Sequence, residues 1–120
     1  MAVRAIRGAT QLDVDEREHL LASVSELLAE VLAANELRTE QLISILFTST
    51  SDLTAEFPAV AARSLGLGDV PLLCARELDV AGAMPRVVRL MAHVETELDR
   101  GAIRHVYLRG ATALRLDLAQ

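Results

Sequence analysis

The chain has 120 residues, enough for one domain, and is 52% apolar but only 2% aromatic, so aliphatic side chains must fill its core. A net charge of −5 disfavours nucleic acid as a partner, and no apolar run reaches the roughly 18 residues of a membrane span. All twelve basic residues are arginine, which excludes a Schiff-base lysine, a pyridoxal-phosphate anchor and a phosphate-loop lysine.

Residues 2–10 read as a strand from the β-branched and apolar content of "VRAIRGAT". Asp13 lies three residues before Glu16 and Asp15 three before Glu18, and either pair suits the start of a helix. The helix that follows is the clearest element: Leu20, Leu21, Val24, Leu27, Leu28, Val31 and Leu32 recur at steps of three and four, and Asn35 is its expected stop. "QLISILFTST", 41–50, is a nearly continuous apolar run with β-branched members and reads as a buried strand. Pro58 suits the first position of a short helix through Ala61, Ala62 and Leu65, which Gly66 and Gly68 end. "VPLLCAREL" resumes as a strand after it. In "RVVRLMAHVETEL" the residues Val88, Leu90, Ala92 and Val94 alternate with Arg89, Met91 and His93, which predicts a strand with two unlike faces. "IRHVYLRG" reads as the last strand.

This order predicts an α+β fold: a single mixed β-sheet of about five strands, with one long and one short helix on one face, forming a single domain over 1–120. The other face still carries Val, Leu and Met, and a second copy of the chain is the economical cover.

Metal chemistry has little support, because His19, His93 and His105 are far apart and no paired-ligand spacing occurs. Cys74 is the only cysteine, so no intramolecular disulfide can form; with no basic-then-apolar leader at the N-terminus, a cytoplasmic location is expected. A nucleophilic role for Cys74 competes with simple packing in an apolar strand. What stands out is arginine. Arg7 and Arg89 interrupt apolar strands, Arg63 lies in the short helix, and Arg115 follows Leu114 in the tail. One such residue alone reads as a rim cation reaching water. Several in sheet positions suggest a pocket for a small carboxylated anion, whose oxygens match the guanidinium fork.

"IRGAT" at 6–10, "SDLTAEFPAVAAR" at 51–63, "VPLLCARELDVAGAMPRVVR" at 70–89 and "IRHVYL" at 103–108 together resemble the AroH-class chorismate mutases, in register from about residue 3 to residue 118. The resemblance implies a pseudo-barrel homotrimer with active sites between chains. It implies chorismate as the small-molecule partner, rearranged to prephenate with no cofactor, metal or protein nucleophile. It further implies that Arg89 faces the ether oxygen, that Arg7 binds a carboxylate, and that Cys74 and Glu77 contact the ring hydroxyl. Tyr107 becomes a carboxylate contact, Phe57, Ala59, Arg63 and Leu73 pocket-wall or neighbouring-chain contacts, and Leu114 and Arg115 a mobile tail over the site. Val60 stands where the best-known members of the family have lysine. A silent trimer that binds a small carboxylate is the alternative in another class.

Strand parity adds a condition. Cys74 and Glu77 are three apart, so both can reach one ligand only if the strand ends or bulges near Ala75–Arg76. The second "RGAT", at 109–112, has flanks that do not extend the echo, so Arg109 is expected on the surface as an accident of sequence.

Overall fold

A computed structural model describes residues 1–114. In chain order it runs β1 (Ala2–Gln11), α1 (Arg17–Ala34), β2 (Leu42–Ser49), α2 (Ala59–Ser64), β3 (Leu72–Arg76), β4 (Val87–Thr96) and β5 (Val106–Leu108), with single 3-10 turns at Thr39–Gln41, Arg100–Ala102 and Arg109–Ala113. The strands form one mixed sheet in the order β3-β2-β4-β1-β5. β4 pairs antiparallel with both β1 and β2, while the two outer strands, β3 and β5, pair parallel with their neighbours. Element order and sheet type are those expected from the sequence.

The core lies between the sheet and the helices. Ile6, Ile45, Phe47, Val88, Leu90, Ala92 and Val94 from the strands meet Leu20, Val24, Leu27, Leu28 and Val31 of α1 and Ala59, Ala61 and Ala62 of α2. The alternation expected in β4 is observed: Val88, Leu90, Ala92 and Val94 are buried, whereas Arg89 and His93 are half-buried and Met91 is exposed. Gly8 marks the tightest approach. A Cβ added there would lie 3.2 Å from the Leu90 side chain and 3.3 Å from that of Leu27, so both leucines would have to give way to it.

Some local expectations need correction. Of the four acidic residues around the start of α1, Glu16 is the N-cap, accepting from the backbone N–H of His19 at 2.6 Å. Asp15 turns away and accepts from the N–H and hydroxyl of Thr54 and the N–H of Ala55. On α1, Leu21 and Leu32 are only half-buried while Ser23 is fully buried, because the contact stripe is narrower than the apolar pattern. β2 is covered on one face only: Ile45 and Phe47 are buried, yet Leu46 is 37% exposed, and Ile43, 38% exposed, stands at the register shift between Leu42 and Ser44. β5 is shorter than the apolar run suggests. The N–H and C=O of Arg104 are taken by the Asn35 side chain, and Arg109, at φ 55°, turns the chain out of the sheet.

The second "RGAT" is a 3-10 turn and not a strand, so the echo is no repeat. Arg109 pairs with Glu26 and Asp13 on the surface, as expected. Gly110 differs from Gly8: a Cβ there would meet the amide end of the Gln11 side chain, which would have to move aside.

Candidate active site

The uncovered face of the sheet gathers four of the expected residues. Strand register sets one row straight across it: Thr48 of β2 opposite Arg89 of β4, Arg89 opposite Ala9 of β1, and Ala9 opposite Tyr107 of β5. One pleat away lies a second row, Leu46, Met91 and Arg7. These rows line a cleft of about 260 Å³. Ala9 is its floor, and the small side chain leaves room between Arg89 and Tyr107. The ring of Tyr107 packs with Ala9, Ala111 and Leu114, so the turn after β5 walls one end.

Glu77 joins this face although it lies just past the end of β3. Its N–H still donates to the Ser49 carbonyl at 2.9 Å, which extends the β2–β3 pairing by one bond. Its Oε2 then accepts two hydrogen bonds, from the Thr48 hydroxyl at 2.6 Å and from Arg89 Nε at 3.0 Å. The carboxylate is well covered, at 16% side-chain exposure, while Arg89 remains 41% exposed. Arg89 is thus held through Nε. No hydrogen bond occupies its two terminal nitrogens among the described residues, which leaves that edge of the guanidinium for a ligand. Because both charges are pinned by neighbours on other strands, little rearrangement is needed when an anion arrives.

The remaining expected residues fall elsewhere. Cys74 packs half-buried against the core on the helix side, with Phe47 beside it across the parallel pair. It lines a second cleft of about 340 Å³ together with Phe57, Pro58, Ala75, Arg76 and the 49–56 loop. β3 does end at Arg76, the place strand parity required, but Cys74 lines this second cleft whereas the Glu77 carboxylate turns to Arg89. Phe57 is 66% exposed and Leu73 64% exposed, unusual for large apolar side chains with no partner of their own. Ala59 is buried in α2, while Val60 is half-buried and Arg63 exposed on the same helix. Leu114 touches the Tyr107 cluster, and Arg115 lies outside the described residues.

The loop that carries Phe57 is anchored electrostatically. Burial opposes ionisation of Asp15, but the hydrogen bonds from Thr54 and Ala55 outweigh it and hold the carboxyl below its ordinary pKa. Glu56 is lowered too, first by the N–H of Phe57 and then by Arg17. Two residues of the site were not singled out from the sequence. Thr48 and Ala9 look ordinary in their strands and gain meaning only through register with Arg89.

The family model for chorismate mutase type I matches residues 3–118. The chorismate mutase AroH of Thermus thermophilus is 47% identical over 117 residues, covering 97% of this chain and 96% of that protein. AroH of Bacillus subtilis (strain 168) is 39% identical over 120 residues, covering 99% and 94%. The solved structure of a chorismate mutase from Clostridium thermocellum superposes with a TM-score of 0.90 at 43% identity, covering 92% of this chain and 98% of that one. With matches of that extent in both sequence and fold, the chain belongs to the chorismate mutase type I family.

Proposed function

We propose that this protein rearranges chorismate to prephenate, and that it works as a homotrimer whose active sites lie between chains. The observation that carries the reading is the pair of arginines over an alanine floor: Arg89 beside Ala9, with Arg7 one pleat away on the same open face. Chorismate carries two carboxylates and an ether link, and its rearrangement breaks a carbon–oxygen bond while forming a carbon–carbon bond within one molecule. No proton transfer or covalent intermediate is required, so the protein has two tasks. It holds the dianion in its folded, reactive conformer, and it offers a fixed cation to the ether oxygen as negative charge grows there.

In this reading Arg7 and Tyr107 hold carboxylate, and the free edge of Arg89 faces the ether oxygen. Glu77, tied to Thr48 and to Arg89 Nε, keeps Arg89 in place and presents its other oxygen to the ring side. Cys74 is a contact to the ring hydroxyl by family resemblance. The trimer follows from what one chain leaves unfinished. Leu46 and Met91 on the open face are each 37% exposed, and Phe57, Leu73 and Arg63 stand outside the arginine cleft. A neighbouring copy that laid its Phe57, Ala59, Arg63 and Leu73 against Arg7 and Arg89 would bury the apolar groups and close the cleft from water. Val60 offers no cation, which leaves Arg63 as the charge on that wall. Leu114 and Arg115 would complete the cover.

The test is to add chorismate, follow the loss of its diene absorption, and detect prephenate by acid conversion to phenylpyruvate, with light scattering on the same sample. Turnover by a species of three chains is expected. Binding of chorismate without conversion would favour the silent carboxylate binder, and a fully active monomer would overturn the shared site.

A further inference from the structure

On its β4 side Arg7 sits in the ladder opposite Met91, but on its β5 side no strand residue pairs with it. The β1–β5 ladder runs only from Gly8 opposite Val106 to Thr10 opposite Leu108. One residue before it, the backbone N–H of Arg7 donates to Nδ1 of His105 at 2.9 Å. An imidazole nitrogen therefore supplies the acceptor that a strand carbonyl would otherwise offer. Delivery of the imidazole is itself secured: the Asn35 side chain, at the end of α1, bonds both the N–H and the C=O of Arg104, each within 2.9 Å.

We propose that His105 is a positioning residue for the reaction, holding the Arg7 clamp through the Arg7 N–H and releasing it when the ring is protonated. This rests on the reading of Arg7 as a carboxylate clamp. Nδ1 can accept only in the neutral ring that carries its proton on Nε2, and a second proton turns Nδ1 into a donor facing another donor. The surroundings favour the neutral form. His105 lines one hollow with Arg4 and Arg7 of β1 and Arg100 of the turn before β5, and another with Arg104, Tyr107 and Glu30 of α1; of these charges, Arg7 is the one that acts on the ring. Burial first, and the charge of Arg7 second, lower the His105 pKa. The accepting form therefore persists through neutral pH and fails on acidification.

Four variants and two readouts decide this: His105→Asn, His105→Ala, Arg7→Ala and the Arg7→Ala, His105→Ala double, read by kinetics and by NMR. His105→Asn places an amide oxygen near the position of Nδ1 and does not titrate, whereas His105→Ala removes the acceptor. The expected result for His105→Ala is a KM for chorismate raised roughly five- to tenfold, the weight of one neutral hydrogen bond, with kcat changed less than about twofold. His105→Asn should restore KM. Below about pH 6.5 the parent KM should rise on acidification, and the Asn variant should lose that limb. Arg7→Ala with His105→Ala should show no added KM penalty from the second change. Independently of activity, the NMR shift of the Arg7 amide should titrate with the His105 ring. An Arg7 amide indifferent to that titration, or an Ala variant with the parent KM and pH profile, would overturn the proposal. If the parent converted no chorismate the proposed function would fall, and the NMR titration alone would decide the role of His105.

Discussion

On the covered face of the sheet, alternate residues of β1, β2 and β4 are Ile6, Ile45, Phe47, Val88, Leu90 and Ala92, all buried under α1 and α2. On the open face the intervening residues of the same strands are Arg7, Ala9, Leu46, Thr48, Arg89 and Met91. The two faces differ by a step of one residue along each strand, and under the proposed function they separate stability from chemistry. The covered face can be packed without regard to the ligand, while the open face holds charges that a core would not tolerate. Two adjacent small residues of β1 serve one face each: Gly8 lets Leu27 of α1 approach, and Ala9 leaves the floor of the cleft clear.

The comparison breaks most visibly at Phe47 and Arg89. Phe47 is fully buried, and Phe47→Ala should cost about 3–5 kcal/mol in unfolding free energy by denaturant titration. Where the protein stays folded, turnover should change far less than stability. Arg89→Ala should do the reverse. A preorganised donor of this kind is worth about 3–4 kcal/mol of barrier, a hundred- to a thousandfold in kcat, with a near-normal circular dichroism spectrum and melting curve. Arg89→Lys keeps the charge but loses Nε as the tether to Glu77, so it should rescue only in part. An Arg89→Ala enzyme within a few-fold of the parent would remove the residue from the chemistry.

A smaller effect sharpens the boundary between the faces. Gly8→Ala points its methyl at Leu90 and Leu27, and overpacking there should cost about 1–3 kcal/mol of stability. Because Gly8 sits between Arg7 and Ala9, a displaced β1 should also raise KM. Stability loss with unchanged KM would show that the strand absorbs the strain without moving the clamp.

The smallest expected effect lies away from both faces. Asp15 gains its hydrogen bonds from Thr54 and Ala55 only when folded, so its carboxyl is depressed in the native state. Stability from such a group is complete above the unfolded pKa of about 3.9 and is lost as pH falls through the lower folded value. Asp15→Asn should therefore cost about 0.5–1 kcal/mol at pH 7, reduced by the water around the site, and nothing below both values. Calorimetric scans of parent and variant at neutral and strongly acidic pH should converge at the acid end. His105 acts in the same direction in a higher window. Its depressed pKa makes its contribution full above about 6.5 and lost as pH falls through the folded value.

The sequence by itself determined the order of elements and the chemistry available to them. The three- and four-residue recurrence through α1 and the alternation through β4 are local patterns, set by the pitch of a helix and the pleat of a strand. Arg7 and Arg89 were legible as candidate anion ligands because a cation in an apolar strand needs a reason, and the family motifs located Glu77, Cys74 and Tyr107. Which of these residues meet was decided by the tertiary structure. Glu77 and Arg89 are 12 residues apart in sequence and 3.0 Å apart in space. That closeness depends on β4 pairing with β2 in a register that sets Arg89 beside Thr48. The same pairing makes Ala9 a floor and gives Thr48 a role that its own neighbours in sequence do not suggest. His105 is the clearest case. Its ring meets the Arg7 N–H only because β5 comes back parallel to β1, 98 residues later, and because Asn35 holds Arg104 just ahead of it. Periodicity is read within a few residues of chain, whereas register is a property of two distant segments and is settled only when the whole sheet forms.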